Sequence, residues 1–257
     1  MSRTVLITGG AGFIGSNAAR AFLESGDRVR VFDNLARKGA EVNLRWLRTA
    51  GPFELVRDDL RNFEAVAGAL EKGPVDLVLH LAGQVAVTTS VADPREDFEI
   101  NALGSFNLLE AVRRSGQNPV VIYASTNKVY GGLPRVGIVE RDGRYGFRDL
   151  PEGIPETWPL DFHSPYGCSK GAADQYFLDY ARIYGLRTVV FRQSCIYGYR
   201  QFGVEDQGWV AWFAIAAALG RPITVYGDGK QVRDVLFIDD LIAAFRLAAE
   251  RIEVARG

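Results

Sequence analysis

Two side chains with complementary chemistry stand four residues apart in the segment Tyr166-Gly167-Cys168-Ser169-Lys170. Residues 164–184 carry apolar side chains at helical spacing after a proline, which predicts a helix with both side chains on one face. A phenol has an ordinary pKa of about 10, and a nearby ammonium lowers that value. The pair therefore predicts a tyrosine base assisted by a lysine. The alternative is two surface residues on an exposed helix.

A glycine-rich turn, Gly9-Gly10-Ala11-Gly12-Phe13-Ile14-Gly15, lies between the first predicted strand and the first predicted helix. Its spacing is G-x-x-G-x-x-G, whereas the standard dinucleotide fingerprint is G-x-G-x-x-G. Glycines permit a tight turn and let backbone N–H groups approach a pyrophosphate at a helix N-terminus. A glycine turn without a ligand is the alternative. Joined to the Tyr166–Lys170 pair, the turn indicates hydride chemistry with a nicotinamide dinucleotide.

The choice of dinucleotide rests on the residues that follow the second predicted strand. Asp33 ends that strand, where a carboxylate can hold the adenosine ribose hydroxyls and would repel a 2′-phosphate. Arg37 and Lys38 follow in a loop from which they could accept that phosphate. The carboxylate favours NAD over NADP.

The elements that must position these residues are short apolar runs alternating with helical patterns. This alternation predicts an α/β fold of the Rossmann type, a doubly wound parallel sheet covered on both faces. Glycine or charged residues close most of the runs. The predicted strands span residues 4–8, 28–32, 53–56, 75–81, 120–123 and 188–191, and the predicted helices lie near 13–24, 62–72, 95–115 and 164–184.

Two segments interrupt this rhythm. Residues 131–160 are rich in glycine, proline and charge and predict a lid-like insertion, because a loop of that length in a compact domain is usually functional or disordered. Residues 198–208 are polar and punctuated by glycine. We therefore divide the chain into an NAD-binding Rossmann domain over 1–197 and a partial substrate-binding lobe over 198–257.

Composition excludes several classes of protein. The 257 residues carry a formal net charge of −1, so the chain lacks the basic footprint of nucleic-acid binding. Two cysteines and two histidines are too few for a disulfide framework and make a structural zinc site improbable. The apolar run after Met1 is too short for a signal peptide, and the later run 209–219 is too short to span a membrane. These features predict a cytoplasmic enzyme without a metal or membrane partner.

The chain resembles the extended short-chain dehydrogenases/reductases, the NAD-dependent epimerase/dehydratase family that modifies sugar nucleotides. The resemblance rests on the glycine turn, on Tyr166 with Lys170, and on the segments 33–34, 58–60, 80–83, 125–126 and 129–131. It implies that Thr126 hydrogen-bonds the reacting sugar hydroxyl and that Asn101 supports the site. It also implies a cofactor site lined by Gly9, Gly12, Phe13, Ile14, Gly15, Asp33, Asn34, Arg37, Lys38, Asp59, Leu60, Leu81, Ala82, Gly83, Gln84, Ala124, Tyr166 and Lys170.

A narrower resemblance concerns the substrate. Sugar-nucleotide 4,6-dehydratases carry Asp-Glu directly after the catalytic threonine, whereas this chain has Asn127 and Lys128, and an amide cannot exchange a proton at neutral pH. Five longer segments resemble the CDP-tyvelose (CDP-paratose) 2-epimerases: 125–131, 160–176, 200–202, 206–209 and 229–236. This implies inversion at C2 of a CDP-linked 3,6-dideoxyhexose by transient oxidation, with tightly bound and recycled NAD, in a homo-oligomer. The implied substrate-binding residues are Gln84, Thr126, Asn127, Gln201, Gln207 and Arg233.

Other hypotheses remain open at this point. One is a different NAD-dependent epimerase or reductase acting on a CDP- or UDP-hexose. Another is an NAD-binding module without catalytic activity, which the presence of both Tyr166 and Lys170 disfavours. Related epimerases continue beyond the last predicted helix, near 239–253, so the resemblance implies either a naturally short chain or a truncated one.

Overall fold

A six-stranded parallel sheet forms the centre of the chain in the computed structural model, which describes residues 2–205 and 207–256; Asp206, within the segment 206–209 singled out above, lies outside the described residues. The strands of the sheet are β1 (Thr4–Thr8), β2 (Arg28–Phe32), β3 (Glu54–Val56), β4 (Leu77–His80), β5 (Val120–Thr126) and β8 (Arg187–Gln193). The strand order is β3-β2-β1-β4-β5-β8. The predicted Rossmann-type fold is confirmed.

The strand order reverses between β1 and β4, the point at which ligands bind in open α/β sheets. In the register, Thr8 at the end of β1 pairs with Phe32 on one side and with His80 on the other. The carboxyl ends of three strands therefore meet at one edge. Thr126 and Gln193 end β5 and β8 as a further register pair at the same edge of the sheet.

Helices cover both faces of this sheet, because alternate strand residues point to opposite sides and both sides are apolar. Val5 and Ile7 of β1 pack into one cluster, whereas Leu6 packs into the other. The helices are α1 (Phe13–Glu24), α2 (Ala40–Leu47), α3 (Phe63–Glu71), α4 (Val87–Ala92), α5 (Pro94–Phe98), α6 (Gly104–Arg114), α7 (Ser164–Tyr184), α8 (Trp209–Ala218), α9 (Ile238–Glu250) and α10 (Ile252–Ala255). The first cluster takes side chains from α1, α2 and α9, and the second from α3, α6 and α7.

The helix α7 begins and ends as its sequence predicts. Pro165 occupies its first turn, where a missing N–H costs nothing, and Gly185 closes it in a left-handed conformation with φ of 69°. The predicted helical stretch over 95–115 is confirmed. It comprises α5, a π-helical turn over Glu99–Leu103, and α6, which follow one another without a gap.

The segment 131–160 is not wholly irregular. It contains a hairpin of β6 (Ile138–Arg141) and β7 (Arg144–Phe147), joined at Asp142 and Gly143, which have φ of 52° and 74°. Positive φ at both turn residues is typical of a tight hairpin turn. The Tyr145 N–H donates to the Lys230 carbonyl at 2.9 Å, so the hairpin contacts the segment that follows α8.

A short parallel pair marks the start of the second predicted domain. The strand β9 (Ile196–Tyr197) pairs with β10 (Leu236–Phe237), and the chain between them carries α8. The boundary at 197/198 falls directly after β9 and stays a prediction. Among the described residues, no helix is both long enough and apolar enough to cross a membrane.

Candidate active site

The glycine turn is built around close backbone contacts. Gly9 has φ of 70°, and its N–H donates to the Phe32 carbonyl at 2.8 Å. A Cβ on Gly15 would lie 2.1 Å from the Gly9 carbonyl oxygen, and a Cβ on Gly9 would lie 2.6 Å from the Ala82 nitrogen. Only glycine fits these positions. The half-buried Phe13 and Ile14 open α1 directly after the turn.

The N-terminus of α1 suits a pyrophosphate. Gly12 caps the helix and contributes no side-chain hydrogen bond, so the first helical N–H groups are not satisfied by a cap. Such N–H groups and the helix dipole together attract anions. The glycine turn brings the backbone tightly to this helix end, and the free N–H groups there fit the pyrophosphate of a dinucleotide.

Asp33 ties the end of β2 to the glycine turn. One carboxylate oxygen accepts a hydrogen bond from the Ala11 N–H at 2.9 Å, and the other accepts from the Leu35 N–H at 2.8 Å. Burial raises the pKa of this carboxyl, and the two backbone hydrogen bonds oppose that rise. Each oxygen keeps a lone pair, so the carboxylate can still accept from ribose hydroxyls.

Polar residues next to Asp33 form a hydrogen-bonded cluster around Asp59 at the same edge of the sheet. The Asn34 amide donates to the Asp59 carboxylate at 2.8 Å, and Arg61 binds the same carboxylate through its guanidinium at 2.8 Å. The Arg61 hydrogen bond lowers the pKa of Asp59 to about 2. Leu60 beside it is buried. Asn34, Asp59 and Leu60, which the sequence assigned to the cofactor, therefore lie together.

Arg37 contacts the segment 198–208. Its guanidinium donates to the Gln207 side-chain oxygen at 2.5 Å, and the Gln207 amide donates to the Val85 carbonyl at 3.2 Å. Arg37 is thus bound to a residue that we expected on the substrate side. Lys38 is exposed on the same loop.

The loop that follows β4 contains Leu81, Ala82, Gly83 and Gln84. A Cβ on Gly83 would lie 2.8 Å from the Asn101 side-chain oxygen, so the chain passes close to the π-helical turn. The Gln84 amide donates to the Ala86 carbonyl and to Asp97, both at 2.8 Å. The expected contact of this side chain with cofactor or sugar stays a prediction, and in this structure the amide is used inside the protein.

Tyr166 and Lys170 lie four residues apart on α7 as their spacing predicts, and Thr126, which the resemblance assigns to the site, lies beside Tyr166. The Thr126 hydroxyl hydrogen-bonds the Tyr166 phenol. The Lys170 ammonium donates to the Ala124 carbonyl at 2.6 Å and lies 4.3 Å from the centre of the Tyr123 ring. Tyr166 and Lys170 are 9% and 6% exposed, so both functional groups sit where water is scarce.

Burial dominates the acid–base properties of the pair. It lowers the pKa of Lys170 to about 7, while the carboxylates of Asp174 and Asp97 raise that pKa. Burial also raises the pKa of Tyr166, and the hydrogen bond from Thr126 opposes this rise. The expectation of a lowered phenol pKa is therefore not met in the chain by itself, because desolvation outweighs the favourable partners.

The remaining substrate candidates are Asn127, Gln201 and Arg233, and only Asn127 contacts the Tyr166 site. Asn127 is exposed directly after Thr126, and its side-chain oxygen accepts from the Thr126 hydroxyl at 3.4 Å. Gln201 donates to the Ile196 carbonyl at 3.2 Å, and its buried side-chain oxygen has no partner. Arg233 is exposed and donates to the Val232 carbonyl, so the structure does not bring it to the other candidates.

Sequence reasoning missed the buried carboxylates behind the Tyr166–Lys170 pair. Asp174 is fully buried and forms a two-point ion pair with Arg192, with N–O distances of 2.9 and 3.0 Å. Its position four residues after Lys170 was the available signal. Asp97 is 1% exposed and accepts from Ser169 at 2.5 Å. Across residues 2–205 and 207–256, no group of three or more His, Cys, Asp and Glu side chains could hold a metal ion.

Comparison with known proteins agrees with this geometry. The sequence pattern of the NAD dependent epimerase/dehydratase family matches residues 5–256. A curated CDP-paratose 2-epimerase of Salmonella typhi is 54% identical over 98% of this chain and 76% of its own length. A UDP-glucose 4-epimerase of Mycolicibacterium smegmatis is 34% identical over 93% of this chain and 71% of its own length.

Solved structures show the same fold. The structure of Pal from Bacillus thuringiensis superposes with a TM-score of 0.83 at 31% identity, covering 98% of this chain and 75% of that one. A Thermus thermophilus UDP-glucose 4-epimerase in complex with NAD superposes with a TM-score of 0.77 at 36% identity, covering 96% of this chain and 74% of that one.

Proposed function

Because the chain belongs to the NAD-dependent epimerase/dehydratase family, we propose that it is an isomerase that inverts C2 of a CDP-linked 3,6-dideoxyhexose, interconverting CDP-paratose and CDP-tyvelose. The observation that carries this proposal is the 54% identity to a CDP-paratose 2-epimerase over nearly the whole chain. The assembled Thr126, Tyr166 and Lys170 supply the side chains that such a reaction requires.

The cofactor is NAD, and the glycine turn, the α1 N-terminus and Asp33 fit it. When bound, NAD would supply reversible hydride acceptance at the sugar carbon, with no net oxidation in the overall reaction. Asp33 would hold the adenosine ribose and would disfavour a 2′-phosphate. The contact of Arg37 with Gln207 supports this preference, because it directs the guanidinium to the 198–208 segment.

Tyr166 moves the proton of the reacting hydroxyl. As phenolate it takes the proton from the C2 oxygen, and as phenol it gives the proton back to the keto oxygen of the turned sugar. Thr126, which hydrogen-bonds the Tyr166 phenol, holds the same sugar oxygen, because a hydroxyl can donate and accept at once. Inversion requires the oxidised sugar to present its other face before the proton returns.

Lys170 supports the proton transfer through its charge. Its ammonium favours the charged form of Tyr166 once the site is occupied, and it is positioned by the Ala124 carbonyl and the Tyr123 ring. Asn127 stands where a dehydratase needs a carboxylic acid, and an amide cannot deliver a proton to a leaving hydroxyl. The residues after Thr126 therefore favour epimerisation over loss of water.

We also propose that the protein works in the cytoplasm as a homo-oligomer. Both cysteines are free, which suits a reducing compartment. Aromatic side chains on the outer faces of α6 and α7, among them Phe106, Tyr176 and Tyr184, are 37–51% exposed and would be covered by a second copy. Light scattering on the purified protein measures its mass in solution and tests this assembly.

The substrate test is incubation with CDP-paratose, CDP-tyvelose and UDP-glucose in deuterated water, followed by NMR of the sugar. We expect interconversion of the two CDP-sugars without deuterium at C2, and no change in UDP-glucose. Conversion of UDP-glucose alone would overturn the proposed substrate, and deuterium at C2 would overturn transient oxidation. Tyr166→Phe is the matched control, because it keeps the ring and removes the base.

A further inference from the structure

Asp97 occupies the centre of a buried polar network behind the active site. Its carboxylate accepts from the Ser169 hydroxyl at 2.5 Å, from the Gln84 amide at 2.8 Å and from the Asn101 amide at 3.1 Å. Ser169 lies between Tyr166 and Lys170 on α7, and Gln84 lies on the loop after β4. One side chain on α5 thus joins the two segments that we assign to catalysis and to the cofactor.

The charge of Asp97 is not neutralised by these partners. All three donors are uncharged, whereas the other buried carboxylate near Lys170, that of Asp174, is paired with Arg192. A buried carboxylate and a buried ammonium are costly when each is alone and stabilise each other when they are close. Asp97 and Lys170 are the two buried charges that lack a direct ionic partner among the described residues.

The groups that face Lys170 come from several elements. Asp97 lies on α5, Asp174 lies on α7, His80 ends β4, and Tyr123 lies on β5. Burial lowers the pKa of His80 to about 3, so this imidazole carries no charge at neutral pH. Asp97 is therefore the unpaired negative charge in this surrounding.

We propose that Asp97 is a positioning residue that keeps Lys170 charged in a dry site and holds the Tyr166–Lys170 turn of α7 against the loop that follows β4. This inference rests on the proposed function, because it concerns the same proton transfer. It assigns two roles to one carboxylate, an electrostatic role through space and a structural role through Ser169 and Gln84.

The electrostatic role makes a signed prediction. The negative charge of Asp97 raises the pKa of Lys170 and also raises the pKa of Tyr166. Asp97→Asn removes that charge at nearly constant shape, so both pKa values fall. The limb of the pH–rate profile that requires phenolate and the limb that requires ammonium both move to lower pH. A purely structural role would lower kcat without moving either limb.

The test compares kcat against pH for the wild type, Asp97→Asn and Ser169→Ala. We expect both limbs of the Asp97→Asn profile to move down by about one pH unit. Ser169→Ala is the matched control, because it removes one hydrogen bond to Asp97 and leaves the charge, so its limbs stay in place. Unmoved limbs in Asp97→Asn, or an equal displacement in Ser169→Ala, would overturn the proposal.

A measurement without substrate separates this inference from the proposed reaction. NMR titration of 13C-labelled lysine, with Lys170→Met to assign the signal, gives the pKa of Lys170 directly. We expect Asp97→Asn to lower it by about one unit. If Asp97→Asn does not fold, the same lysine titration of Asp97→Glu, which keeps the charge, decides the matter. The pKa of Lys170 should stay in place in that variant, and a fall there would refute the electrostatic role.

Discussion

Acid stability should depend strongly on His80, which is fully buried at the end of β4. Its ring contacts the Thr8 hydroxyl at 2.7 Å and the Ser105 hydroxyl at 2.9 Å. It stacks on Tyr123 and Phe177 at 5.4 and 5.7 Å between ring centres. Burial, assisted by the charge of Lys170, lowers the pKa of His80 from 6.5 to about 3. The folded protein therefore holds this imidazole neutral.

The size of the effect follows from linkage. Below pH 6.5 the unfolded chain binds a proton that the folded chain refuses until about pH 3, so the free energy of unfolding falls as the pH falls. The slope is about 1.4 kcal/mol per pH unit, which amounts to roughly 2–3 kcal/mol between pH 6.5 and 4.5. Lys170 binds its proton in both states below about pH 7 and adds no slope in this range.

The assay is urea unfolding followed by tryptophan fluorescence at several pH values, on wild type and on His80→Gln, with NAD removed from both. The amide of glutamine can still meet Ser105 and cannot be protonated. We expect the variant to be less stable at pH 7.5, because it loses stacking and the Thr8 contact. Below pH 6.5, however, its free energy of unfolding should fall less steeply with falling pH, by about 1.4 kcal/mol per pH unit. Carboxylates contribute equally to both proteins. Parallel curves for the two would refute the reasoning.

Further predictions concern the cofactor and the proton transfer. Tyr166→Phe should keep fold and bound NAD but lower kcat by about 10²–10⁴-fold, and a variant within twofold of wild type would contradict the assignment. Lys170→Met should lose turnover and retain less NAD after gel filtration. Retention equal to that of the wild type would show that Lys170 does not help to bind the cofactor. Asp33→Ala should release NAD and reduce the binding preference for NAD over NADP. Mass spectrometry of the extracted nucleotide identifies the bound cofactor, and titration with each dinucleotide measures the preference. NADP in the wild-type extract would contradict this prediction. Gly15→Ala should destabilise the fold by about 1–3 kcal/mol because its Cβ meets backbone, whereas Gly68→Ala on α3, with open space around its Cβ, should not.

The sheet could be predicted from sequence because each of its strands is a short apolar run between breakers. Thr4–Thr8 and Arg28–Phe32 are found at the predicted residues, since turns with glycine or aspartate follow them directly. The hairpin of β6 and β7 could not be predicted in this way, because each strand has only four residues and both strands are largely exposed. The helix α2 was missed for a similar reason, since it has only eight residues and its buried face holds Asn43 beside Ala40, Leu44 and Leu47.

In the site, likewise, contacts between neighbours on one helix could be predicted, whereas contacts between residues distant along the chain could not. Tyr166 and Lys170 could be paired from sequence, because their spacing on one helix fixes their proximity. Asp97 could not, because its partners Gln84 and Ser169 are distant along the chain and meet only in the folded protein. The π-helical turn inside the predicted helix over 95–115 could not be predicted either. The π-helical turn that contains Asn101 has no proline or glycine in its interior, so no residue type marks it.

The short pairing of β9 with β10 has a consequence for how the protein can evolve. It fixes both ends of the segment 198–235 beside the sheet, so this segment is a loop whose closure is already achieved. Closing a loop costs only about 0.6 kcal/mol more for each doubling of its length. Insertions and deletions there are therefore cheap. Gln201 and Gln207 lie inside this loop, whereas the glycine turn and Tyr166 lie outside it. A lineage can thus lengthen or shorten this one tethered segment, while the glycine turn and the helix that carries Tyr166 keep their places.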